Sequence, residues 1–230
     1  MILAMDTSTY VLGVAVGDDQ TVRAEWTTHE KTNHSLRLMP GIDLVLKSAG
    51  LKPKQLSTIA VTTGPGSYTG VRIGVSTAKA MASSLNLPLV EVSTLETLAS
   101  NGKYREGLVC SFIDARRGQV YAGVYEVKDE ALTVYKEERL LLLEDLLQEL
   151  KNEERSVLFL SLDVDLHRET LTHELGEHAM FGATGDNRTK PSEVLRIASK
   201  KEAATNVDAV VPRYLQLAEA EKNIKKESSS

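Results

Sequence analysis

Two short stretches carry the residue types that can hold phosphate. Asp6-Thr7-Ser8-Thr9 is an acidic, hydroxyl-rich turn between two apolar runs, and Gly64-Pro65-Gly66-Ser67 is a glycine loop that leads into a helix. Such loops offer backbone N–H groups, and the helix dipole favours an anion. One reading is a nucleotide held by Asp6, Ser8 and Gly66. The other is a tight strand-to-helix turn that needs positive φ. The P-loop pattern fails because no Gly-Lys-Ser or Gly-Lys-Thr follows. G-x-G-x-x-G fails because Gly64-Pro65-Gly66 runs into Ser67, Tyr68 and Thr69.

Other chemistries find less support. A nucleophile elbow would need glycines two residues either side of Ser67, where Pro65 and Thr69 stand. His29 and His34 are five apart, as are His173 and His178, so neither pair has the i, i+4 spacing of a two-histidine metal site. His34 is expected to cap a helix or face water, and His167, His173 and His178 to lie on a solvated surface. The single cysteine, Cys110, sits in the apolar run GLVCSFIDA. It rules out an internal disulfide, fits a reduced compartment, and reads as a buried hydrophobe. Ser93-Thr94-Leu95-Glu96 has the spacing of a helix capping box, which gives Glu96 a structural role first.

Composition narrows the partners. The net charge of −5 argues against a nucleic-acid face on this chain alone, because phosphate binding draws on clustered Lys and Arg. Hydrophobic residues make up 42% of the 230, enough for a real core. The start, MILAMDTST, has neither a basic region nor a long apolar run. Neither a signal peptide nor a membrane span is therefore expected, and the chain reads as cytoplasmic.

These residues must be positioned by a regular alternation of elements. Ile2 to Thr7, Val11 to Asp18 and Thr21 to Thr28 read as a three-strand meander. Thr32 or Asn33 caps a helix that runs to about Ala49, with Pro40-Gly41 as a kink and Gly50 and Pro53 as its stop. A strand at Ser57 to Thr63, the glycine loop, a helix from Gly70 and a strand at Leu89 to Val92 follow. In that helix Gly70, Gly74, Ala78 and Ala82 recur every four residues. They form a stripe without bulk that lets another backbone come close. The stripe either packs on the chain's own sheet or faces a partner.

The second half repeats the theme more faintly. Leu108 to Ile113 and Gln119 to Val127 form a hairpin around Asp114-Ala115-Arg116-Arg117-Gly118. An Asp114–Arg116 pair bracing that turn is the simplest role for those residues; Tyr121 is left without one. A strand over Leu132 to Leu140, a helix from Glu144 to Lys151, a strand at Val157 to Leu160 and a helix over Pro191 to Lys201 complete it. The expected division is 1–101, 102–218 and a polar, frayed tail over 219–230.

Taken in order, DTSTYVLGVAV, HSLRLMPGID, GPGSYTGVRIGVSTAKAMA, DARRGQVYAGVYE and VPRYLQ resemble the TsaB (YeaZ) family of the bacterial tRNA threonylcarbamoyladenosine system. The likeness is dense to about Val127 and thin from Leu132 to Val210. It implies an α/β, actin-like, two-lobed fold of the sugar-kinase and Hsp70 type with a reduced second lobe. It implies a non-catalytic subunit, with the transferase TsaD and the ATPase TsaE as partners and tRNA reached only through the complex. No resident cofactor is implied beyond a weak ATP or ADP at the complex. The catalytic paralogue's H-x-x-x-H metal pair falls in register on Thr94 and Leu98, which cannot ligate as histidines do. The same resemblance places the partner contact on the two N-terminal helices, at Leu36, Met39, Gly70, Gly74, Ala78 and Ala82. A homodimer through these helices is the companion expectation. An autonomous ATPase or kinase and a metallopeptidase are the competing classes, separable by nucleotide turnover and by bound metal.

Overall fold

Alternation in the first strands sorts their side chains onto two faces, and each face meets its own helices. The computed structural model describes residues 1–31 and 33–215, so the expected tail at 219–230 and the alternative cap Thr32 lie outside the described residues. The first sheet is built from β1 (Ile2–Asp6), β2 (Leu12–Gly17), β3 (Val22–Thr28), β4 (Thr58–Thr62) and β5 (Leu89–Val92) in the order β3-β2-β1-β4-β5. The meander β1–β3 is antiparallel, while β4 and β5 add in parallel. Leu3, Met5, Val14, Val16, Ile59 and Val61 form one core, covered by α1 (His34–Ser48) and α2 (Tyr68–Leu85). Ala4, Ala15, Ala60 and Val90 point the other way, onto α6 (Pro191–Ala198).

Local signals explain the helix ends. The Asn33 side chain accepts from the Ser35 amide at 3.1 Å and starts α1. Pro40 lies inside the helix, which continues through it, so the expected kink does not break the element. Ser67 accepts from the Gly70 amide at 3.2 Å and starts α2; Asn86, left-handed at φ 54°, ends it.

The second sheet repeats the first. β6 (Gly107–Arg116), β7 (Gln119–Lys128), β8 (Ala131–Leu142), β9 (Val157–Leu160) and β10 (Ala179–Phe181) lie in the order β10-β9-β6-β7-β8. Again a meander of three is followed by two parallel additions. The crossover helices are α4 (Leu143–Lys151) and α5 (Val164–Leu175), whose apolar sides bury Cys110, Phe112, Val124 and Phe159. The other face, with Val109, Tyr125, Val127 and Leu158, is covered by Leu98 and Ala99 of α3 (Thr94–Ala99). Helix α5 and strand β10 are not among the expected elements.

The chain does not divide at residue 101 alone. After the second sheet it returns: α6 packs on the first sheet, and Val210 lies buried in the core beneath α1 and α2. The first lobe is thus made from both ends of the sequence. Among the described residues, no helix is long and apolar enough to cross a membrane.

Candidate functional site

The hydroxyl-rich turn and the glycine loop meet, and they meet tightly. Asp6 is buried, and its Oδ1 accepts from the Ser8 amide (2.9 Å), Ser8 Oγ (2.6 Å) and Thr62 Oγ1 (2.6 Å). Asp6 Oδ2 is buried and has no hydrogen-bond partner. The Ser67 amide donates to the Ser8 carbonyl at 2.7 Å, and a Cβ on Gly66 would stand 2.1 Å from that same oxygen. Asp6, Ser8 and Gly66 are therefore brought together, as a brace between β1 and the start of α2. The amides of Ser67 and Gly70, which a phosphate would want, are already spent inside the chain.

The stripe on α2 faces inward. Gly70, Gly74, Ala78 and Ala82 are all buried. A Cβ on Gly70 would lie 2.2 Å from the Thr7 carbonyl, and one on Gly74 would lie 2.4 Å from Thr7 Oγ1. Thr7 Oγ1 in turn donates to the Gly70 carbonyl at 2.7 Å. Gly70 admits the backbone of the chain's own β1 turn and Gly74 admits the Thr7 side chain, so the stripe's expected place on a partner surface is corrected. A period of four marks a face but not its direction.

The outward surface lies one row further round. Leu36 is 73% exposed and Met39 52% exposed on α1. Met39 and Pro53 face Ala80, Met81, Ser84 and Leu85 of α2 across a mainly apolar groove of about 500 Å³. An open apolar groove on two packed helices is a docking surface in form.

A second hollow, of about 470 Å³, lies where the lobes meet. Its central group is Glu138 of β8, whose side chain is 7% exposed. Glu138 Oε1 accepts from Tyr125 OH at 2.6 Å and from Ser93 Oγ, and Oε2 accepts from Arg213 at 2.7 Å. Burial raises the Tyr125 hydroxyl above its ordinary value, and the neighbouring Glu138 carboxylate adds to the shift. Burial likewise raises the Glu91 carboxyl at the same hollow. No local pattern announces Glu138 or Arg213: they are 75 residues apart in sequence.

Other polar residues keep some of their expected roles and change others. Ser93 caps α3 through the Leu95 and Glu96 amides, but the Glu96 side chain pairs with Lys201 and leaves the box half made. His34 is buried, with Nε2 bonded to the Thr9 carbonyl at 2.8 Å. His167 is partly buried against Phe112, and its Nε2 lies 3.2 Å from Asp114. Asp114 braces the hairpin through the Arg116 backbone amide, at 3.2 Å, with His167 Nε2 beside its other oxygen. Cys110 is fully buried, and burial pushes its thiol up to about 12. Thr94 and Leu98 are both buried within α3. Among the described residues, no three His, Cys, Asp or Glu side chains are placed to hold a metal ion.

Two lobes with one repeated strand order, joined around a central cleft, define an actin-like α/β protein. A solved structure of (R)-2-hydroxyglutaryl-CoA dehydratase component A from Acidaminococcus fermentans shares that fold with a TM-score of 0.50 over 86% of this chain and 97% of its own, at 12% identity. The family model described as "TsaD: tRNA N6-adenosine threonylcarbamoyltransferase" matches residues 21–224. Within that wider group, the chain belongs to the TsaB (YeaZ) family. It is 46% identical over 220 residues, 96% of each chain, to the tRNA threonylcarbamoyladenosine biosynthesis protein TsaB of Bacillus subtilis. It is 38% identical over 131 residues, 56% of each, to the protein of the same name from Escherichia coli. A structure from Pseudomonas aeruginosa, described as similar to peptidase YEAZ, superimposes with a TM-score of 0.80 at 24% identity, covering 94% of this chain and 99% of that one.

Proposed function

We propose that this chain is a non-catalytic scaffold subunit that pairs with the transferase TsaD and is needed to form threonylcarbamoyladenosine on the tRNA adenosine next to the anticodon. The observation that carries this reading is the open apolar groove between α1 and α2, lined by exposed Met39, with Leu36 also exposed on α1. A paralogue with matching helices would bury that groove as a helix-on-helix contact. The names of the curated relatives support the pathway. The closed brace around Asp6, with its amides spent internally, supports a scaffold over an ATPase. TsaE joins the assembly, tRNA is reached through the complex, and the setting is the cytoplasm.

The test is modification of tRNA reconstituted with TsaD, TsaE and the adenylate-forming enzyme, with and without this chain. Omission is expected to abolish the product. Met39→Asp, exposed and in the groove, is expected to weaken TsaD capture at least about tenfold while the fold is kept. Full activity without the chain, or nucleotide turnover by the chain alone, would overturn the proposal. Sedimentation of the isolated chain reports whether a second copy takes the same face.

A further inference from the structure

The segment from Ala203 to Tyr214 is a strap that runs from the amino end of β5, at Leu89, along α2 to the carboxyl end of β4, at Thr63. Open α/β sheets take ligands in the crevice outside the carboxyl ends of their strands, the end that Arg213 reaches. The strap's backbone is held by the first lobe. The Ala204 amide donates to the Leu89 carbonyl at 2.8 Å, and Lys79 of α2 donates to the carbonyls of Asp208 and Val210 at 2.7 and 3.0 Å. The Arg213 amide donates to the Thr63 carbonyl at 2.7 Å. The Arg213 carbonyl sits 3.0 Å from where a Cβ on Gly64 would be, directly over the glycine loop. Tyr214 stacks on Tyr68 with ring centroids 5.2 Å apart and accepts from Arg72 at 2.6 Å.

The Arg213 side chain leaves this lobe. Its guanidinium crosses to Glu138 on β8 of the second lobe at 2.7 Å. The carboxylate it meets is already fixed on its other oxygen by Tyr125 and Ser93. Ser93 belongs to the turn between β5 and α3, so Glu138 is gripped from the first lobe twice, once by the strap and once by that turn. A carboxylate with three donors and little exposure has one favoured position, and an ion pair to it is worth more than a mobile surface pair.

We infer that Arg213 is a lobe lock: the strap carries it over the glycine loop, where it joins Thr63 to Glu138 and sets the angle between the lobes. The chain supplies from its own sequence the bridge that a bound ligand would otherwise make across the crevice. Because the strap also lies along α2 through Lys79, Arg72 and Tyr68, the lobe angle is mechanically linked to that helix.

Spin labels on Lys54→Cys in the first lobe and Lys128→Cys in the second read the angle directly. Both positions are exposed, and the buried Cys110 does not compete for label. One narrow inter-lobe distance distribution is expected for the otherwise unaltered chain. Arg213→Ala and Glu138→Gln should each broaden it, and exchange at the Arg213 and Thr94 amides should rise roughly tenfold. The double variant should go no further than either single one, because the two residues act as one contact. Glu138→Gln keeps an oxygen for Tyr125 and Ser93, so it decides the matter if Arg213→Ala does not fold. An unchanged distance distribution in a folded Glu138→Gln chain overturns the lock, as do additive effects in the double variant. A lowered melting temperature alone, with the distribution unmoved, also overturns it.

Discussion

Thr7 sets what α2 can tolerate. Its carbonyl and hydroxyl occupy the space that side chains at Gly70 and Gly74 would need. Gly74→Leu is therefore expected to cost at least about 2 kcal/mol of stability in urea unfolding, through overpacking against the Thr7 and Val61 side chains, before any partner is involved. Glu193 gives a prediction in pH. Burial pushes its carboxyl upward, but hydrogen bonds from Lys103 (2.5 Å) and Arg196 (2.7 Å), with their charges, outweigh it and hold the pKa below the usual range. A depressed folded value means stability present above the unfolded pKa and lost as pH falls through the folded one. Unfolding free energy should thus decline as pH falls through the ordinary glutamate range to the lower folded value, and Glu193→Gln should flatten part of that decline. Residues of this kind were the least legible in the sequence. His34 and His167 look like solvated histidines by type, yet one reaches a carbonyl across 25 positions and the other an aspartate across 53. Composition records what a side chain can do, whereas burial depends on distant chain.

Elements with strong punctuation were legible. Asn33 and Ser93 mark two helix starts in the sequence, and the structure has caps at both. Asn33→Ala is expected to cost about 1 kcal/mol, checked by chemical unfolding, because an orphan amide of the first turn loses its acceptor. Helix α5 was illegible for a physical reason. Its inward residues are Val164, Leu171 and Leu175, with His167 filling the gap against Phe112. Read as polar, His167 interrupts the apolar period; read as part of the buried face, it completes it. The stripe on α2 shows the converse. Its spacing was plain, but a helix with both an inner and an outer face does not declare which one is small. Burial of Gly70 and Gly74 against Thr7 leaves the proposed docking surface to Met39 of α1 and Met81 of α2, which line the apolar groove.

At the scale of the molecule, the repeated order of meander, helix, strand, helix, strand was visible in the first half and dim in the second. The second sheet's helices carry many charged residues, so its periodicity is diluted. The return of the chain from Pro191 onward was not visible at all. It depends on Ala4, Ala15 and Ala60 forming a shallow layer into which α6 fits, and on Gly13 admitting Pro191, whose ring would lie 2.9 Å from a Cβ there. Cutting the chain after Thr189 is expected to strip hydrogen-exchange protection from β1, β2 and β4 while β6, β7 and β9 keep theirs. Equal loss in both sheets would contradict two cores of independent make.

That same return has a meaning in time. Ribosomes add about 5–20 residues per second, so the first sheet, finished at Val92, waits roughly 5–20 s before Pro191 is made. Through that interval its alanine layer has no cover, whereas every strand and helix of the second lobe is in place by Phe181. The half of the protein encoded first is thus the half completed last, and a chaperone meeting the nascent chain would meet it at Ala4, Ala15 and Ala60.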